Sequence, residues 1–155
     1  MANDIISDVS NHVAEAQSSS EATDTVKKRG SGGSLGDKMG LEVLELTVDR
    51  AVATMPVEGN TQPMGIMHGG AYVVLGESLG SMSASLHAGP GRFAVGVDIN
   101  ATHHRPVMSG TVTAVATPIA VGRTTASIEI VLTDEEGRRT CTCRFRPAPT
   151  AYWPP

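Results

Sequence analysis

The stretch Gln62-Pro63-Met64-Gly65-Ile66-Met67-His68-Gly69-Gly70 runs straight into AYVVLGESLGSMSASLHA, residues 71–88, and the join between them decides how the chain is read. Leu75, Leu79, Met82 and Leu86 recur at helical spacing, so a helix starts at the glycine pair. Helix starts gather unpaired backbone N–H groups and the positive end of the helix dipole, and glycine lets a ligand oxygen come close to them. The segment therefore predicts an oxyanion-binding helix end. Two turns further in, Glu77 stands among Val73, Val74, Gly76 and Gly80, with few polar neighbours to account for an acid. It is the candidate catalytic carboxylate, with Ser81 one turn beyond.

Outward from this helix, the flanks read as strands. Upstream, LGDKMG (35–40) reads as a helical turn ending at Gly40, and LEVLELTVDRAVATMPVEG (41–59) alternates as one long strand or as two that meet at Asp49-Arg50. Downstream, after the Gly89-Pro90-Gly91 break, come AVGVDINATHH (94–104), TVTAVATPIA (111–120), TTASIEIVLT (124–133) and RRTCTCRFRP (138–147). Turn signals at Val121-Gly122 and at Asp134-Glu135-Glu136-Gly137 separate the last three. The order predicts an α+β fold: strand, long helix, then an antiparallel meander. Because these strands alternate apolar with small polar residues, one helix leaves part of the sheet uncovered, and a second subunit is expected to help bury it.

Three regions are expected. Residues 1–34 form a flexible N-terminal extension, in which Ile5, Ile6, Val9, Val13 and Ala16 share one helical stripe ahead of a Ser/Gly-rich linker. Residues 35–147 form the domain, and 148–155 form an irregular, proline-rich tail pinned by Tyr152 and Trp153.

Composition narrows the function. A length of 155 residues suits one domain. The net charge of −4, with basic residues scattered apart from Lys27-Lys28-Arg29, speaks against a nucleic-acid surface. No apolar run of about 18 residues and no secretory leader pattern occurs, so a cytoplasmic protein without a membrane span is expected. Cys141 and Cys143, the only cysteines, lie two apart on a predicted strand, on one side and poorly placed to bond each other. Without further ligands at suitable spacing they do not predict a metal site.

The helix geometry carries a further step. Gly69 and Glu77 are eight residues apart, which is about 12 Å along a helix, so one carbonyl carbon cannot touch both. If the helix end binds the carbonyl oxygen and the carboxylate acts on the same carbon, the two come from different copies of the helix. A two-fold dimer with antiparallel helices brings them together and makes two equivalent sites. One carboxylate and one oxyanion site suffice for a thioester, whose thiolate leaves far more readily than an amine or alkoxide. A serine or cysteine nucleophile is weakly supported, since there is no Gly-x-Ser-x-Gly elbow and neither cysteine opens a helix.

NTQPMGIMHGGAYVVLGESLGSMSA together with VGVDINATHHRPVMSGTV closely resembles the hotdog-fold acyl-CoA thioesterases, over about residues 36–146. The resemblance is strongest to the branch that acts on aromatic acyl-CoA in phenylacetate, 4-hydroxybenzoate, menaquinone and enterobactin metabolism. It implies a hotdog fold, an antiparallel sheet wrapped around one long central helix. It further implies that Glu77 is the nucleophile or general base, that the Gly69 N–H binds the thioester oxygen, that Gln62 orients the attacking group, and that His68 and Ser81 support them. In the family Gln and Gly come from one subunit and Glu from the other.

For coenzyme A, which is part of the substrate and not a cofactor, the resemblance points to Gly96, to His103, His104 and Arg105, and to Gly122, Arg123, Thr124 and Thr125. Arg105 and Arg123 suit the phosphates. Neighbours on a strand face opposite ways, so only one of His103 and His104 can face a site. The expected enzyme is therefore an acyl-CoA thioesterase working as a homodimer or homotetramer on an aromatic or medium-sized acyl group. The alternatives are a non-catalytic acyl-CoA sensor, which would not need the attacking carboxylate, and a hotdog dehydratase, whose histidine motif precedes the acid-bearing helix where here it follows.

Overall fold

A computed structural model describes residues 33–88 and 92–150. The amphipathic stripe expected in the N-terminal extension, the Gly89-Pro90-Gly91 break and the pinning of the tail by Tyr152 and Trp153 all lie outside these residues. A short helix α1 (Gly33–Met39) precedes strands β1 (Glu42–Leu46) and β2 (Ala51–Pro56), the long helix α2 (Gly69–Ala88), and strands β3 (Phe93–His103), β4 (Thr111–Val121), β5 (Ala126–Thr133) and β6 (Arg139–Thr150). The six strands form one sheet in the order β1-β2-β4-β5-β6-β3, and every neighbouring pair is antiparallel.

The segment 41–59 resolves into two strands. Thr47 N–H donates to the Arg50 carbonyl and Arg50 N–H to the Thr47 hydroxyl, which turns the chain at the anticipated place. Only β4, β5 and β6 form the meander. Strand β3 crosses to the far edge and pairs with β6 alone, a departure from the expected order, because alternation along a strand specifies which face is apolar and not which neighbour it takes.

The C-terminal strand also outruns its expected end. Instead of becoming irregular at residue 148, β6 continues to Thr150 against β3. Prolines 147 and 149 are two apart and so withdraw donors from one edge of the strand only; pairing with β5 has already ended at Phe145, while the β3 ladder continues.

Helix α2 packs across one face of this sheet. Leu75 and Leu79 are fully buried against inward-facing Ile128, Ile130, Leu132, Val112 and Ala114. Where the helix crosses β6, Gly76 and Gly80 bring the backbones close. A Cβ at Gly80 would lie 2.7 Å from Phe145 Cδ1, and one at Gly76 would lie 3.1 Å from Cys143 Sγ. Cys141 and Cys143 share the inner face with their sulfurs 3.9 Å apart, both free and fully buried. Hydrogen bonding to Cys141, and then burial, push the Cys143 thiol far above its ordinary range, while the same hydrogen bond holds the Cys141 thiol below its own, and both are shut away from solvent. No helix among the described residues is long and apolar enough to cross a membrane.

Candidate active site

The start of α2 is built by the loop before it. Gln62 N–H donates to Ile66 O and Gly65 N–H to Gln62 O, and Gly65 takes φ +75° to close this turn. Asn60 ties the loop down: its buried side-chain amide donates to Met39 O at 2.8 Å and to Pro56 O at 2.9 Å, while its own carbonyl accepts from His68 N–H at 2.8 Å. His68 is thereby fixed as the N-cap. Its carbonyl accepts from Ala71 N–H at 2.9 Å and Tyr72 N–H at 3.4 Å, and its ring Nδ1 accepts from Gly70 N–H at 2.8 Å. Of the first four helix N–H groups, only that of Gly69 has no partner among the described residues. Chain geometry thus leaves one donor free, and it is the one singled out as the oxyanion donor. The Gln62 side chain, half-buried beside it in sequence, also makes no hydrogen bond among the described residues.

Glu77 lies two turns along the same continuous helix, half-buried, with its Oε1 accepting from the Ser81 hydroxyl at 3.0 Å. Gly96 of β3 passes beside this carboxylate: a Cβ there would lie 3.4 Å from Glu77 Oε1 and 2.9 Å from the Phe145 ring. Ser85, one turn beyond Ser81, donates to Ser81 O and accepts from Ala94 N–H, which ties the acidic face of α2 to β3. No ion pair engages Glu77 among the described residues, so the bland reading of a salt-bridged structural acid finds no cation here. The start of α2 and the Glu77 carboxylate thus lie about 12 Å apart along one helix.

The coenzyme A candidates fall into separate places. His103 faces inward and stands over the helix start, its Nε2 3.1 Å from where a Gly69 Cβ would be, with its ring centroid 5.4 Å from that of Tyr72. His104 points to the opposite face, where its Nε2 meets the Thr142 hydroxyl at 2.9 Å beside Arg139 and Arg144. Arg105 is exposed and reaches the Arg139 carbonyl. Gly122, Arg123 and Thr124 form the exposed tip of the β4–β5 hairpin, closed by Gly122 N–H donating to Thr125 O, while the Thr125 hydroxyl is spent on Pro147 O at 3.2 Å. Gly96 sits with Glu77, not with either group. Within one chain the structure brings together His68, Gly69 and His103 at one end and Glu77, Ser81 and Gly96 at the other, with Gln62 in the loop that leads into the first group. Asn60 escaped the sequence reading, because nothing in its flanks announces a buried amide.

With this geometry in place, the likenesses to other proteins become interpretable. Residues 64–141 match the model of the thioesterase superfamily. The chain is 47% identical over 108 residues to the proofreading thioesterase EntH of Klebsiella pneumoniae, a match that covers 69% of this chain and 79% of that protein. Its fold superposes on a thioesterase from Haemophilus influenzae with a TM-score of 0.77 at 39% identity, covering 83% of this chain and 90% of that one. A variant of the phenylacetic acid degradation protein PaaI from Thermus thermophilus superposes with a TM-score of 0.67 at 25% identity, over 74% of this chain and 96% of that one. A six-stranded antiparallel sheet around one long helix and these relatives lead to one conclusion: the chain is a hotdog-fold member of the thioesterase superfamily and a thioester hydrolase.

Proposed function

We propose that the protein hydrolyses an acyl-CoA carrying an aromatic or medium-sized acyl group to the free acid and coenzyme A, at sites shared between two subunits. The observation that carries this reading is the single unpartnered N–H at the start of α2, on Gly69, set about 12 Å from the carboxylate of Glu77 on the same helix. In the reaction, the Gly69 N–H and the positive helix end stabilise the oxyanion that forms as the thioester carbonyl is attacked. Glu77 of the other subunit attacks the carbonyl carbon or takes a proton from the water that does, with Ser81 holding the carboxylate in place. Coenzyme A then leaves as a thiolate. The free Gln62 amide, next to the oxyanion position, orients the attacking group.

The open sheet edge at β3 supports the dimer. Strand β3 pairs with β6 on one side only, and its exposed face includes Val97, 66% exposed. This one strand passes Glu77 at its Gly96 end and Gly69 at its His103 end. Antiparallel pairing of β3 with its copy about a two-fold axis, in a register that set Gly96 opposite His103 of the partner subunit, would carry Glu77 towards the partner subunit's Gly69. The resemblance to aryl-CoA thioesterases supports an aromatic acyl group, and the name of the proofreading thioesterase EntH supports thioester hydrolysis.

The test is hydrolysis of benzoyl-CoA and phenylacetyl-CoA, with a thiol-reactive dye reporting released coenzyme A. Glu77→Ala is expected to lower turnover about 10² to 10⁴ fold while the substrate still binds. Wild-type turnover by that variant would refute the mechanism; binding without hydrolysis by the intact protein would point to a sensor.

A further inference from the structure

His68, His103 and His104 are held in different ways. His68 is fixed by its hydrogen bond with Gly70 N–H, and His104 by the Thr142 hydroxyl. The His103 imidazole is exposed and makes no hydrogen bond among the described residues, yet its Nε2 lies 3.1 Å from where a Gly69 Cβ would be. What meets its ring is Tyr72, with centroids 5.4 Å apart and planes tilted by 56°, an arrangement that aromatic rings favour. Helix geometry explains why residue 72 reaches this place. It stands three residues after Gly69, on the same face of α2, and helical side chains lean back over the preceding turn. At 3% exposure the Tyr72 ring is locked there by the packed core. Its buried hydroxyl stands beside Thr140, whose own hydroxyl donates to Leu132 O at 3.1 Å, and reaches no hydrogen bond of good geometry. A hydroxyl in that condition costs stability, so the ring and not the hydroxyl is what Tyr72 contributes.

We propose that Tyr72 is a positioning residue, whose ring holds the His103 imidazole beside the Gly69 N–H, and that turnover depends on Tyr72 only through that imidazole. The proposal rests on the thioesterase reading above, in which the Gly69 N–H receives the thioester oxygen. Protonated at Nε2, the imidazole presents a second donor to that oxygen, and its effect grows as negative charge develops there. An exposed imidazole with two free torsions gains little from such a place unless a contact keeps it there. A tilted ring pair biases a side chain about two- to tenfold towards the contacting rotamer. That factor sets the size of the effect. It also sets a ceiling, since removing the Tyr72 ring cannot cost more turnover than removing the imidazole it holds.

A double-mutant cycle on benzoyl-CoA hydrolysis separates this role from simple core filling, with thermal melting to verify folding. Tyr72→Leu is expected to lower kcat about two- to tenfold with KM nearly unchanged, because the imidazole acts on charge that develops in the transition state. Tyr72→Phe keeps the ring and should keep kcat within about twofold. In a His103→Ala background, Tyr72→Leu should lower kcat no further. An equal fall in both backgrounds, or a His103→Ala variant with the kcat of wild type, overturns the proposal. Tyr72→Ile repeats the cycle should Tyr72→Leu fail to fold. The contact is also read without catalysis, in the proton–carbon NMR spectrum of protein labelled at histidine, where His103→Ala identifies the His103 ring signals. The Tyr72 ring current should displace them in wild type and Tyr72→Phe and release them in Tyr72→Leu; signals that do not move in Tyr72→Leu overturn the proposal. Absence of hydrolysis by the wild-type protein, with the displacement present, defeats the thioesterase reading and leaves the ring contact standing.

Discussion

His68 gives its Nδ1 to Gly70 and its carbonyl to the next turn, so one residue both starts the helix and selects Gly69 as the free donor. Alanine at 68 removes the side-chain cap and should cost about 1 kcal/mol, a fall of roughly 2–4 °C in Tm, together with turnover. Asparagine caps helices well and should restore the melting temperature. Melting curves of H68A and H68N beside wild type decide this, and equal Tm for all three would remove the cap from the account. Ser81→Ala deletes the one hydrogen bond that holds the Glu77 carboxylate, and a fall of about two- to tenfold in kcat is expected. At this scale the sequence made the residue types legible, but not the choice between partners. Both His103 and His104 qualified; strand alternation decided that they part company, and only folding showed that the inward one covers Gly69.

Among the elements, α2 depends on how closely it can approach β6. Gly80→Ala raises helix propensity by about 1 kcal/mol yet drives a methyl into the ring of Phe145, which is 1% exposed and has nowhere to move. Overpacking of this kind costs about 1–3 kcal/mol, so a net loss of stability is expected, read as a lower denaturation midpoint; a higher one would refute the close approach. The β5–β6 turn has its own lock. Burial raises the Asp134 carboxyl, but hydrogen bonds from the Arg138 backbone and guanidinium, with its charge, outweigh this and hold it below the usual carboxylate range. A depressed carboxyl stabilises the fold above its unfolded pKa and loses that contribution as pH falls through the folded value. Asp134→Asn should therefore melt below wild type at pH 7, with the gap closing below about pH 4; a gap constant with pH would contradict the lock. Both turns were legible because Gly and Asp clusters punctuate them. The edge position of β3 was not, since its partners are set by how the chain crosses the sheet.

On the proposed mechanism, the whole molecule is incomplete as a single chain. The Gly69 N–H and the Glu77 carboxylate lie about 12 Å apart along one helix, and β3 leaves an open edge beside both. Charge placed on that edge should split the dimer, and Val97→Lys is expected to shift light scattering towards monomer with loss of hydrolysis. The proposal of a partner rests on two numbers legible in the sequence, the spacing of Gly69 and Glu77 and the rise of a helix. Which edge supplies the partner required the sheet order.

Subunit mixing tests the shared site most directly. Gln62→Ala and Glu77→Ala damage different half-sites, and each alone leaves both sites of a dimer broken. In a mixed dimer one site receives both lesions and the other receives none. Co-refolding equal amounts should give about half mixed dimers, and benzoyl-CoA hydrolysis should recover to roughly a quarter of wild type. Activity no higher than the average of the two variants would show that Gly69 and Glu77 serve one chain, and would contradict the account.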